Sequence, residues 1–199
     1  YNKAKISWYL NGKLNVSYNC IDRHVESGNG DKTAIIWEPN DSEEVPIHLT
    51  YGELFKATCK FANAMKAQGV KKGDRIIIYM PMVPELAIAV LACARIGAVH
   101  SVVFGGFSAQ SIADRITDAQ CNMVITADGG FRGTKEVPLK TVVDDALVQC
   151  PSVKRVIVLT RSRTPVSMIK DRDCWWEDEV NKVEEQGNPP CPAEPMDAE

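Results

Sequence analysis

A chain of 199 residues, 45% hydrophobic and 25% charged, has the composition of an ordinary globular protein and the length of one large domain or one domain with an appendage. Its formal net charge of −3 excludes a global attraction to nucleic acid or an anionic membrane, so any anion site must be local. No apolar run approaches the ~20 residues that cross a bilayer, and the first residues lack the pattern of a secretory signal.

Residues from Tyr1 to about Ser27 mix aromatics with Asn and Lys. Trp8-Tyr9-Leu10 before Asn11-Gly12 predicts an extended piece and a turn, and Asn19 to Val25 predicts a short helix packed by Ile21 and Val25. Ala34-Ile35-Ile36-Trp37 and Pro46-Ile47-His48-Leu49 read as two strands joined by the acidic loop Glu38 to Val45, hence a hairpin. Thr50-Tyr51-Gly52-Glu53 has the spacing of a capping box. Leu54, Thr58, Phe61, Ala62 and Met65 follow at helical spacing, and Gly69 suits the left-handed residue beyond the helix end.

From Gly73 the pattern alternates. Arg75 to Met80 is a nearly unbroken apolar run, as expected of a strand covered on both faces. Pro84 suits a first helical position and Glu85 complements the dipole of a helix running to about Ile96. Ser101-Val102-Val103, a helix from about Ser108 to Ala119, Met123 to Thr126, a helix from about Leu139 to Gln149, and Arg155 to Leu159 complete the series. Three strand–helix repeats with short connections define an α/β fold, a mainly parallel sheet flanked by helices on both faces. Thr160 to Asp173 reads as loop, and Cys174 to about Gln186 as an amphipathic helix with Trp176 and Val180 inward. The expected organisation is an N-terminal extension over 1–33, an α/β unit over 34–186 that begins with the hairpin, and a Pro-rich linker over 187–199.

Seven scattered cysteines without a C-x-x-C pair argue against a disulfide framework or zinc site and for a reducing, cytoplasmic compartment. Cys59 and Cys93 fall on apolar helix faces and read as small buried hydrophobes. His24, His48 and His100 have no metal-ligand spacing and read as structural. Asp144 and Asp145 are neighbours in a helix and read as a solvated face, and Lys71 to Arg75 as a charged turn. No phosphate-loop, nucleophile-elbow or H-E-x-x-H motif is present.

Open α/β sheets bind ligands beyond the carboxyl ends of their strands. Two connections at that edge are rich in glycine: Phe104-Gly105-Gly106-Phe107-Ser108, between a strand and a helix, and Asp128-Gly129-Gly130-Phe131-Arg132-Gly133-Thr134-Lys135, after the next strand. Glycines admit a ligand close to the backbone, a helix N-terminus offers N–H groups to an anion, and Arg132 and Lys135 add cations. Each loop also has a plainer reading, as a tight turn and as a solvated basic pair. Together they point to a phosphate-bearing ligand.

These segments carry a resemblance. Thr50 to Leu54, Gly73 to Ile76, Tyr79-Met80-Pro81-Met82-Val83-Pro84-Glu85, the run Ala94 to Ser108, and Leu139 to Ala146 occur in this order in AMP-forming acetyl-CoA synthetases, within the adenylate-forming acyl-CoA synthetase and luciferase-like superfamily. The resemblance covers almost the whole chain. Val103 to Ser108 and the Arg132 loop resemble the acetyl and propionyl branch in particular. It implies that the chain is the first subdomain of the large N-terminal domain of such an enzyme, and a fragment of it. It also implies a ligase that activates acetate with ATP and Mg2+ to an acyl-adenylate and pyrophosphate, after which the CoA thiol attacks and releases AMP. By matching positions, Phe104, Gly105 and Gly106 would line the CoA path, Arg132 and Lys135 would hold its nucleotide phosphates, and Val137 would pack near the adenine. Members often carry arginine where this chain has Lys135, which keeps the charge and loses the bidentate geometry.

Catalytic residues, the ATP-phosphate loop, the acyl pocket and the metal site are expected beyond Glu199. The expected partners are therefore small-molecule substrates and the remainder of the same enzyme, with no nucleic acid or membrane. Propionate or another short-chain acid, a stand-alone CoA- or nucleotide-binding module, and an interaction domain using Trp175 and Trp176 stand as alternatives.

Overall fold

The computed structural model describes residue 6 and residues 8–198. The expectations for 1–5, 7 and Glu199 lie outside the described residues. After a turn in which Gly12 N–H donates to Tyr9 O, strand β1 (Lys13–Leu14) leads into helical turns of π geometry over Tyr18–Asp22 and Val25–Asn29, longer than the expected short helix. Strands β2 (Thr33–Trp37) and β3 (Ile47–Thr50) form the expected antiparallel hairpin. Helix α1 (Tyr51–Ala67) opens on the capping box: Thr50 Oγ1 accepts from Glu53 N–H at 3.2 Å, and Glu53 Oε2 accepts from Thr50 N–H at 2.8 Å. Its five expected inward positions are all buried, and Gly69 closes it at φ +92.

The body is a five-stranded, wholly parallel sheet. Its strands are β4 (Arg75–Tyr79), β5 (Val99–Val102), β6 (Met123–Ala127), β9 (Arg155–Leu159) and β10 (Asp173–Trp175), in the order β10-β9-β6-β4-β5. Helices α2 (Pro84–Arg95), α3 (Ala109–Ala119) and α4 (Leu139–Leu147) make the crossovers, and α5 (Trp176–Glu185) follows β10. The chain leaves β4 toward β5 but leaves β5 and β6 in the opposite direction. Right-handed crossovers then put α2 and α3/α4 on opposite faces. The packing agrees: α1 lies against α2 and α5, and α3 against α4. Ile76, Ile77, Ile78, Val124, Ile125, Val156 and Ile157 fill the middle layer, and Phe61 of α1 stacks on Trp176.

Four expectations shift. Strand β5 begins at Val99 rather than Ser101, because an edge strand alternates in exposure and its pattern blurs: Val99 is 55% exposed and Val103 1%. The glycine-rich segment after β6 is a small antiparallel hairpin, β7 (Gly130–Arg132) and β8 (Lys135–Val137), rather than an open loop. Cys174 and Trp175 are strand, not helix, because Ile157 and Val158 of β9 offer a parallel partner. Residues 187–198 do not trail away as a linker. Cys191 is buried, its carbonyl accepts from Arg95 Nε, Pro189 O accepts from Asn63, and β11 (Met196–Asp197) pairs antiparallel with β1.

Two buried charge clusters hold remote segments together. Arg95 forks onto Asp22 through two 2.8 Å bonds, joining the end of α2 to the first helical turns. Lys140, with no exposed surface, reaches Asp144 at 2.7 Å, Asp173 at 2.9 Å and Ser167 O at 2.9 Å, and Arg172 bridges the same two carboxylates. Asp144 is therefore not a solvated face, since its partners lie on a segment far along the chain. Asp145 is exposed as expected.

Burial pushes the Asp173 carboxyl up, but hydrogen bonds from Arg172, the Ile169 N–H and Lys140 outweigh it, and the net shift is downward. A lowered folded-state value contributes stability that is fully present above the ordinary carboxylate value, near pH 4, and lost as pH falls through the folded value. Asp173→Asn is expected to cost about 3 kcal/mol in urea unfolding at pH 7, by leaving Lys140 and Arg172 half-paired. In a pH series that deficit should shrink below about pH 4.

Candidate functional site

The loop after β5 and the hairpin after β6 stand at the same carboxyl rim, on either side of the end of β4. They are tied together from below. The buried Tyr79 hydroxyl, last in β4, shares its proton between the carbonyls of Gly105 at 3.2 Å and Phe107 at 3.0 Å. Burial pushes the Tyr79 phenol up, which keeps it a neutral donor. Gly130 roots the hairpin so close to the β4–α2 turn that a β-carbon there would lie 3.0 Å from Pro81 Cβ. At the mouth, a β-carbon on Gly106 would sit 2.9 Å from Phe104 Cε1 and 3.9 Å from Arg132 Nη1. The glycine leaves that gap open between an aromatic ring and a guanidinium.

Arg132 and Lys135 face each other across the hairpin tip, on either side of Gly133, whose φ of +60 closes the turn. Both are exposed, and neither has an ion-pair partner among the described residues. Phe104, 59% exposed, meets Phe107 edge-on at 6.1 Å, and Arg115 lies 5.2 Å over the Phe107 ring. The structure thus brings Phe104, Gly105, Gly106, Arg132 and Lys135 to one mouth. Val137 is apart from them: half-buried and paired with Gly130, it sits at the hairpin root.

Three contacts at this rim escaped the sequence reading. Trp37 Nε1 donates to Met82 O at 2.7 Å, and Asn40 Nδ2 donates to Gly133 O at 2.6 Å, so the β2–β3 hairpin braces both the β4–α2 turn and the basic tip. Arg161, just after β9, lies 5.4 Å over Trp37 and 5.6 Å over Phe131 and pairs with Glu44 at 2.7 Å. A lone Arg in a polar loop carries no local signal of such a stack.

Chemically, the mouth offers two cations, exposed aromatic faces and close backbone, which suits phosphate and ring recognition. Burial pushes Cys59 up to about 11, Cys93 to about 12 and Cys174 to about 12, so these thiols stay protonated at neutral pH. No group of three His, Cys, Asp or Glu among the described residues is placed to hold a metal ion.

The family of AMP-binding enzymes matches residues 21–198. The chain belongs to that family. Acetyl-coenzyme A synthetase of Bdellovibrio bacteriovorus is 55% identical over 98% of this chain and 30% of its own length. That of Magnetococcus marinus is 52% identical over 99% of the chain and 30% of its length. Acetyl-coenzyme A synthetase 2 of Pseudomonas aeruginosa is 51% identical over the same shares, 99% and 30%. The chain thus spans about 30% of the length of these curated relatives.

Gly106→Ala tests the gap directly. The new methyl must push the exposed Phe104 ring aside, so unfolding free energy should change by less than about 0.5 kcal/mol. The cross-peaks between the Phe104 and Phe107 rings in a nuclear Overhauser spectrum should be lost.

Proposed function

We propose that this chain is part of an AMP-forming acetate–CoA ligase and supplies one wall of its CoA site. The observation that carries the reading is the pair of exposed cations, Arg132 and Lys135, without ion-pair partners among the described residues and standing beside Phe104, Gly105 and Gly106 at the carboxyl rim. The sequence similarity to proteins named acetyl-coenzyme A synthetase supports the choice of acid and thiol. In the reaction, acetate displaces pyrophosphate from ATP to give acetyl-adenylate. The CoA thiol then attacks the acyl carbon, loses its proton and releases AMP. Arg132 and Lys135 hold the CoA nucleotide phosphates by charge, the rings of Phe104 and Phe107 bound its path, and the Gly105-Gly106 backbone lets it pass. Val137, at the hairpin root, packs near the adenine. The seven scattered cysteines favour a cytoplasmic setting. These residues present no donor set for Mg2+, and none of their roles runs through it.

The test separates the half-reactions in a longer chain that carries these residues. Arg132→Ala is expected to raise KM for CoA by about tenfold or more, the loss of one charge-assisted phosphate contact. Acetate-dependent ATP–pyrophosphate exchange, which needs no CoA, should be unchanged. Lys135→Ala should act in the same direction, and Lys135→Arg should lower KM by restoring a forked donor. An unchanged KM for CoA in both alanine variants would remove the reading. Binding of CoA by the 199-residue chain alone, weakened by Arg132→Ala and with no adenylate formed in any longer chain, would instead favour a stand-alone binding module.

A further inference from the structure

We infer that Asp128 is a positioning residue for the basic hairpin and acts on Arg132 through Arg161. The inference rests on the CoA reading of Arg132 and Lys135. Asp128 follows β6, lies 1% exposed, and forms no ion pair among the described residues. Its carboxylate is held chiefly by backbone N–H groups: Oδ1 accepts from Gly129 at 2.6 Å, Arg161 at 2.8 Å and Ser162 at 3.0 Å, and Oδ2 from Arg163 at 2.7 Å, with the Ser162 hydroxyl adding a longer bond to Oδ1 at 3.5 Å. A buried carboxylate is tolerable only when its lone pairs are filled in this way. Arg163 adopts φ +61, the left-handed turn that lets successive N–H groups converge on one anion. The carboxylate therefore folds the loop after β9 around itself, while its own backbone begins the β7–β8 hairpin.

The fold needs such a device. Strands β7 and β8 have three residues each and pair only with each other, and an isolated two-stranded hairpin is marginal in water. Outside help comes from Arg161, whose guanidinium rests on Phe131, the residue before Arg132. Arg161 can stand there because Asp128 fixes its backbone, and because Trp37 and Glu44 hold its far side. The line of force runs from Asp128 to the Arg161 backbone, to the Phe131 ring, to the Arg132 side chain at the mouth.

A merely structural aspartate would weaken the whole protein, so the experiment reads a split between half-reactions. In the longer chain carrying these residues, Asp128→Asn keeps the size but turns an amide toward donors. It is expected to raise KM for CoA about tenfold and leave acetate-dependent ATP–pyrophosphate exchange unchanged. Arg161→Met, which keeps the loop backbone and removes the cation, should give the same split at about threefold or more. The triple variant Asp128→Asn with Arg132→Ala and Lys135→Ala should be no worse for CoA than the Arg132→Ala/Lys135→Ala pair, since neither cation then remains to be positioned. Full additivity, or an equal fall in exchange and CoA use, overturns the inference while leaving the CoA site standing. If Arg132→Ala itself leaves KM for CoA unchanged, the CoA reading falls and this one with it. Should Asp128→Asn fail to fold, Arg161→Met decides: an unaltered KM for CoA sinks the assignment.

Discussion

The rim is organised by one constraint: β4 has neighbours on both sides, and the chain leaves β4 and β6 toward opposite faces of the sheet. Helix α2 then covers one face and α4 the other, so no crossover roofs the ends of β4 and β6. An open α/β sheet concentrates its functional loops at such a divergence for that reason. The apolar run Arg75 to Tyr79 makes β4 central, since four of its five residues can be buried only between two helix layers. Once β4 is central, Tyr79 necessarily ends it at the rim, and its hydroxyl meets the carbonyls of the next loop.

Polar groups buried around that sheet decide which segments lie where. Arg95, Asp128 and Lys140 are all nearly inaccessible, and each is satisfied by partners distant in sequence. Well-packed apolar substitutes often stabilise a fold as much as buried ion pairs do. What these charges add is exclusivity. An apolar segment can slide along an apolar groove, whereas Lys140, paired with Asp144 inside α4, gains Ser167 O and Asp173 as further acceptors only when residues 167–173 lie against α4. The Arg95 cluster does the same for Asp22 and Cys191, which is why residues 187–198 lie along the body despite their proline content.

How much of this was legible in the sequence depended on the range of the interaction. Helix α1 was readable in full, because the Thr50–Glu53 box, the inward positions and Gly69 all act within a few residues. Strands β4, β6 and β9 were readable because burial on both faces leaves an unbroken apolar run. Strand β10 and the β7–β8 hairpin were not, since both exist through pairing that local pattern cannot announce: Cys174 and Trp175 suit a helix equally well until β9 stands beside them. The same limit hid the partners of Asp144, Asp128 and Arg161. At the candidate site, Gly105, Gly106, Arg132 and Lys135 could be named from glycine and charge in βα connections, and Phe104 from the family resemblance. The groups that hold them, Tyr79, Asn40 and Asp128, could not.

The exposure of the mouth limits what these residues can achieve by themselves. Arg132, Lys135, Phe104 and Phe131 all face solvent, and two open hollows of the described residues lie elsewhere, one lined by Leu14, Gly97 and Met196, the other by Gln68, Asn122 and Lys154. A unit charge pair at 4 Å is worth about 1 kcal/mol in bulk water and about 4 kcal/mol near a partly desolvated surface. Two solvated cations therefore give a phosphate a preference rather than a seat. Lys135 deepens that limit, because an ammonium holds its own water more tightly than a guanidinium and lacks its fork. Only a second surface that closes over the phosphates and strips that water can move each contact toward the larger value. The hairpin holds the two cations in a fixed frame: its tip is pinned at Gly133 and its base at Gly130, while both side chains are exposed and without an ion-pair partner among the described residues.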